Sequence, residues 1–179
     1  MLSSFSTRRL VITAMCVALA LALSLIELFT MPMGGSVTPF SMFFIVLAAY
    51  WFGVPYGAAA GLALGLLKLL LGAYIVHPAQ LMLDYPLAFA MLGAAGFFNK
   101  QRFGLQIGYT VGVLGRFVMH FISGLIFFAE YTPEDWSPVI YSLWYNISYI
   151  LPEALVTLII VSAPVVKNTL DRIAEQQNE

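Results

Sequence analysis

Apolar residues run along this chain in long blocks parted by short polar or glycine/proline breaks, without the strict alternation of half-buried strands. A helix needs about 20 apolar residues to cross the hydrocarbon core of a bilayer. The blocks Leu10–Thr30, Gln80–Phe98, Leu105–Glu130 and Val139–Val166 reach or approach that length. Pro39–Phe52 and Tyr56–Gly72 are shorter and are separated by Gly53-Val54-Pro55. The pattern predicts an all-α, polytopic membrane protein with six transmembrane helices. It also predicts a single integral-membrane domain over residues 1–179, of which 167–179 form a polar cytoplasmic tail read as a frayed helix end.

Composition sharpens the class. Hydrophobic residues make up 61% of the chain and charged residues 9%, where a soluble domain carries about 25% charged residues. So few charges cannot cover a water-facing surface, so the surroundings are a lipid bilayer. A net charge of −1 gives no basic footprint for nucleic acid. The single cysteine, Cys16, sits inside an apolar block, so an intrachain disulfide is excluded. Arg8, Arg9, Lys100, Arg102, Lys167 and Arg172 flank the blocks, whereas the connections 31–38, 73–79 and 131–138 contain no Lys or Arg. With six spans every flanking basic residue falls on one side, which places both termini in the cytoplasm.

Charges inside the blocks are costly, roughly 3 kcal/mol each at mid-membrane on insertion scales. Asp84, beside Tyr85 in His77-Pro78-Ala79-Gln80-Leu81-Met82-Leu83-Asp84-Tyr85-Pro86, therefore needs an internal partner or a bound cation. At about 1.5 Å of rise per residue, position in a span converts to depth. Glu27, Lys68, Asp84, Tyr85, His120, Gly124, Phe128, Tyr141, Tyr145 and Asn146 then share one layer near the outer face. Arg116, His120, Gly124 and Phe128 are spaced by four and form one stripe. Asn146 and Glu153 share a face of the last span, and Glu153 at the depth of Arg116 suggests an ion pair between the two helices. Gly34-Gly35-Ser36-Val37-Thr38 reads as a turn or a lid over an outward site. Ala14, Ala18 and Ala22 form a small-residue stripe suited to close helix packing. Tyr131, Trp136 and Trp144 fit an interfacial aromatic belt.

Enzyme classes fare poorly. The two histidines, His77 and His120, have no metal-ligand spacing, and no Ser/His/Asp constellation shares a depth. The pattern is a pocket open to one side, polar outside and greasy within, with no catalytic and no metal residues. Aromatic plates and a carboxylate suit a flat cationic ligand.

Three segments resemble one family in particular. They are His77-Pro78-Ala79-Gln80-x-x-Leu83-Asp84-Tyr85-Pro86-Leu87-Ala88-Phe89, Arg116-Phe117-x-x-His120-x-x-Ser123-Gly124, and Tyr141-x-x-x-Tyr145-Asn146 followed by Pro152-Glu153. They are similar to the thiamin-specific S-components of energy-coupling factor (ECF) transporters, the ThiT/YuaJ family. The resemblance implies an S-component-like bundle in a bacterial plasma membrane, with no cofactor, that captures thiamin near the extracellular face. Two ATPase subunits and a transmembrane coupling subunit complete transport, the latter docking on Ala14, Ala18 and Ala22. Carried over by position, Asp84, Tyr85, Tyr74, His120, Gly124, Phe128, Tyr141 and Asn146 correspond to substrate-binding residues. The chain departs from the family pattern at three points: Asp84 replaces the usual Glu, Phe128 stands where Trp is typical, and Met31–Thr38 lacks the lid tryptophan. Two other readings stay open: an S-component for a thiamin precursor or similar heterocycle, and a membrane assembly subunit without transport activity.

Overall fold

The computed structural model describes residues 6–178; Met1–Phe5 and Glu179, the ends of the expected domain, lie outside the described residues. The first helix, α1 (Thr7–Ser24), ends earlier than its apolar block. Ser24 Oγ turns back to donate to Leu21 O at 2.8 Å. The chain then forms a small hairpin, β1 (Phe29–Thr30) against β2 (Ser36–Val37), antiparallel with Phe29 opposite Val37. Glu27 therefore sits in an exposed connection rather than inside the first span, accepting a hydrogen bond from Thr30 at 3.4 Å. Gly34 (φ 95°) and Gly35 (φ 80°) make the hairpin turn in a left-handed conformation that side chains disfavour.

Helix α2 (Ser41–Phe52) follows a left-handed Phe40 (φ 55°). It is only 12 residues long, about 18 Å at 1.5 Å per residue. Met42 and the whole run Ile45–Phe52 are buried. A helix apolar all round and enclosed by its neighbours needs no lipid-facing stripe, which accounts for its brevity. Gly53 (φ 90°) breaks the chain before α3 (Val54–Leu70), whose first turn holds Pro55, where its missing N–H costs no helical bond.

Helix α4 (Pro78–Phe98) is irregular throughout. It contains an α-helical start (Pro78–Met82), a π turn (Leu83–Leu87), a short α stretch (Ala88–Ala90) and a 3-10 end (Met91–Phe98). Pro86 lies inside the π turn and cannot donate a helical N–H. Two glycine faces clamp this helix. A Cβ on Gly61 of α3 would lie 2.1 Å from Phe89 O, and one on Gly65 would lie 2.7 Å from the Tyr85 carbonyl. On the other side, a Cβ on Gly108 would meet Ala95 O at 2.8 Å and one on Gly112 would meet Leu92 O at 3.0 Å. These last two belong to α5 (Gly104–Phe127). Backbone-to-backbone packing of this kind replaces hydrophobic burial between helices in lipid.

Helix α6 (Pro138–Ser162) starts with Ser137 Oγ accepting from Ile140 N at 3.3 Å. It stops at Ala163, whose extended backbone (ψ 129°) is what a residue before proline adopts. The expected frayed tail is instead a separate helix, α7 (Pro164–Asn178). Leu170, Ile173 and Ala174 pack on the core. Tyr50 donates to Asp171 Oδ1 at 2.9 Å, and Trp51 Nε1 donates to Leu170 O at 3.4 Å.

Four helices, α1, α4, α5 and α6, have the length and apolar character to cross a membrane, while α2 and α3 are shorter apolar helices. The expectation of six spans thus resolves into four long helices and two short ones. Large apolar side chains face outward on α1 (Val11, Met15), α5 (Leu114, Val118) and α6 (Leu155, Ile159).

Candidate functional site

The connections after α1, α3 and α5 meet at one end of the bundle, and a cavity of about 340 Å³ opens there. That volume lies within the range of small-molecule sites. The opening turns of α4 contribute Asp84 and Tyr85, and the α3–α4 connection contributes Tyr74. Helix α5 contributes His120 and Gly124 and ends on Phe128; α6 contributes Tyr141 and Asn146. All eight residues singled out from the sequence thus line one cavity. Met33, Gln80, Tyr131, Ser142 and Tyr145 also line it and were not singled out as site residues. Gln80 lies one helical turn before Asp84, and Ser142 one turn before Asn146, so i,i+4 spacing was the signal that could have found them. Tyr145 already stood in a quoted motif, whereas Tyr131 was assigned to the interfacial belt. Met33 reaches the site through the hairpin fold, which no local pattern encodes.

Asp84 is the centre of the polar network. Its Oδ2 accepts from Gln80 Nε2 at 2.7 Å, and its Oδ1 lies 3.1 Å from His120 Nδ1. Arg116 Nε donates to His120 Nε2 at 3.2 Å. An imidazole nitrogen that accepts a hydrogen bond carries no proton, so donor bookkeeping puts the His120 proton on Nδ1, directed at Asp84. The hydrogen bonds then run one way, from Arg116 through His120 to Asp84. With both ring nitrogens engaged, His120 has no free donor to offer a ligand.

Arg116 and Glu153 do not pair. Among the described residues, the carboxylate contacts to basic groups within 4 Å are His120–Asp84 and Lys167–Asp171. The Arg116 guanidinium instead lies over the Phe89 ring, 4.5 Å from its centroid, with Lys68 Nζ 5.9 Å from the same centroid. Glu153 points elsewhere, accepting from Thr38 Oγ1 at 2.9 Å, Ser41 Oγ at 3.0 Å and Met42 N at 3.2 Å. It caps the N-terminus of α2 and ties the end of the hairpin to α6, where a carboxylate complements the unpaired N–H groups of a helix start. The glycine loop is also held: Gly35 packs on Tyr149 and Gly34 on Tyr145.

The Asp84 carboxylate consequently carries two donors but no Lys or Arg within ion-pair distance. Aromatic rings wall the rest of the cavity. Tyr74 and Tyr131 hydroxyls meet at 3.0 Å, and Phe128 sits 6.3 Å from the Tyr74 ring and 5.9 Å from the Tyr131 ring. Tyr141 and Tyr145, both on α6, have their rings 6.1 Å apart. Asn146 is buried at the base, donating to Ser142 O at 2.9 Å and accepting from Tyr149 at 3.0 Å. The same amide nitrogen also reaches Ser142 Oγ at 3.5 Å, and the carbonyl oxygen keeps a second lone pair for a ligand. Gly124 admits a helix: a Cβ there would lie 2.2 Å from Ser142 Oγ. A carboxylate without a Lys or Arg partner among aromatic rings attracts a flat organic cation.

Comparison with known proteins places the chain in a family. A family model described as thiamine transporter protein (Thia_YuaJ) matches residues 10–172. Thiamine transporter ThiT of Bacillus subtilis (strain 168) is 34% identical over 169 residues, covering 86% of this chain and 88% of its own length. Thiamine transporter ThiT of Lacticaseibacillus paracasei is 28% identical over 166 residues, covering 83% of this chain and 82% of its own. The solved structure of ThiT from Listeria monocytogenes superposes with a TM-score of 0.77 at 28% identity, covering 91% of this chain and 96% of that one. With a match across nearly its whole length, the chain belongs to the thiamine transporter (Thia_YuaJ) family, a family of membrane transporters rather than enzymes.

Proposed function

We propose that this protein is the substrate-capture component of an ECF-type vitamin importer and binds thiamin in the Asp84 cavity. The observation that carries the reading is a carboxylate with no Lys or Arg partner, walled by tyrosines and Phe128 in a cavity of about 340 Å³. The thiazolium of thiamin is a fixed cation, so Asp84 serves as counter-charge without a protonation step. Tyr74, Phe128 and the His120 plane sandwich the rings. Asn146, Tyr141 and Tyr85 meet the aminopyrimidine with donors and acceptors.

The cavity faces the extracellular side, both termini are cytoplasmic, and the membrane is a bacterial plasma membrane. The six flanking basic residues on one side support that orientation. The chain hands its ligand to a transmembrane coupling subunit driven by two ATPase subunits. Ala14, Ala18 and Ala22 are exposed on α1 beside exposed Val11, Met15 and Leu19, which suits close docking of another helix.

Calorimetric titration of the purified protein with thiamin and, separately, with its pyrimidine and thiazole halves tests the ligand. Saturable binding is expected for thiamin, well ahead of either half. Preference for one half would make the protein a precursor transporter, and no saturable binding of any of the three would leave it an assembly subunit.

A further inference from the structure

Gln80 is the most buried polar side chain of the network, 1% exposed, and it makes three hydrogen bonds with one amide group. Nε2 donates to Asp84 Oδ2 at 2.7 Å and to the Tyr74 carbonyl at 3.2 Å, while Oε1 accepts from Val76 N at 3.2 Å. Both N–H donors and the carbonyl are thereby used. The residue joins two walls of the cavity: the connection that carries Tyr74 and the π turn that carries Asp84. A π turn is an irregular stretch of helix, often found at functional sites, and this one holds Asp84 two residues before Pro86, whose backbone N–H is missing. The clamped backbone fixes where the Asp84 side chain starts, and its torsions leave the carboxylate to be set by its partners. Gln80 from below and His120 from α5 fix its two oxygens separately.

We infer that Gln80 is a positioning residue for substrate: it sets the Asp84 carboxylate. This rests on the reading of Asp84 as the counter-charge for a cationic ligand. Gln80 acts through Asp84, so its loss has little left to remove once the Asp84 charge is gone. Two sites acting independently would instead give additive losses.

The test is a double-mutant cycle on thiamin affinity, by calorimetry in detergent, over wild type, Q80M, D84N and Q80M/D84N. Methionine keeps the length of the side chain and removes its hydrogen bonds. Q80M is expected to weaken binding about five- to tenfold and D84N at least tenfold, with the double variant within about twofold of D84N alone. Equal weakening by Q80M in both backgrounds, or none in either, overturns the inference. An unaltered affinity for D84N would instead overturn the counter-charge reading on which it rests. Where Q80M is not monodisperse on gel filtration, Q80N serves in its place. It is one methylene too short to reach Asp84, and adding D84E restores the span. Recovery of affinity in Q80N/D84E relative to Q80N supports the positioning role, and failure to recover contradicts it.

Discussion

At the scale of single residues, the site depends on where each polar atom finds its complement. Glu153 shows this most clearly. It is 5% exposed and accepts from two hydroxyls and a backbone N–H. Replacing it with Leu removes the acceptor shared by all three donors. Leaving buried groups unsatisfied costs about 1–3 kcal/mol, so E153L should lower the thermal unfolding midpoint of the ligand-free protein in detergent. It should also make the hairpin connection 25–40 more open to limited proteolysis. Asp84, His120 and Gly124 were legible in the sequence because intramembrane polar residues are rare, and their spacing and depth brought them together. The Arg116–Glu153 pair was misread for a definable reason. Depth along a span gives height but not direction around the helix axis. Glu153 is drawn toward α2 by Thr38 and Ser41, more than a hundred residues away in sequence, and Arg116 is satisfied by His120 and the Phe89 ring.

At the scale of elements, α4 is the part of the fold that places the carboxylate. Its position comes from its neighbours rather than from its own helical regularity. Gly61 of α3 and Gly112 of α5 allow backbone contact on both sides. A methyl group on Gly61 would sit 2.1 Å from Phe89 O, a backbone atom that cannot swing aside. Gly61→Ala should therefore destabilise the protein by about 1–3 kcal/mol, the usual range for overpacking, and weaken ligand binding as α4 shifts. Thermal unfolding and ligand titration of the same preparation check both effects. The existence of α4, α5 and α6 was readable from the length of their apolar blocks. The early end of α1 was not, because Leu25, Ile26, Leu28 and Phe29 continue the apolar run past Ser24. Hairpin pairing with Ser36 and Val37 ends the helix there. Likewise α7 was masked by its polar composition, although Leu170, Ile173 and Ala174 sit at helical spacing on the face that docks against the core.

At the scale of the whole molecule, the two ends of the bundle differ. One gathers the hairpin, the α3–α4 connection and the α5–α6 connection around the cavity. At the other, α7 is pinned across α2 through Tyr50 and Trp51. Apolar surface on α1 faces away from both, with Ala18 exposed between Met15 and Leu19. If that face docks the coupling subunit, a bulky Ala18→Trp leaves ligand affinity within about twofold while blocking uptake in cells that carry the rest of the transporter. Loss of affinity in the isolated protein would mean that the substitution acts on the bundle itself. The family and the class of fold were legible because the motifs fall on the cavity wall and the composition admits only a membrane. The role of α2 as a short, enclosed helix was not, since hydropathy cannot distinguish lipid from protein as the apolar surroundings. The central claim is that Asp84 holds a cationic vitamin. It is tested most directly by titrating the wild-type protein and D84N with thiamin. Saturable one-to-one binding, weakened at least tenfold, or about 1.4 kcal/mol, by the substitution, is the predicted result; an unchanged dissociation constant would contradict it.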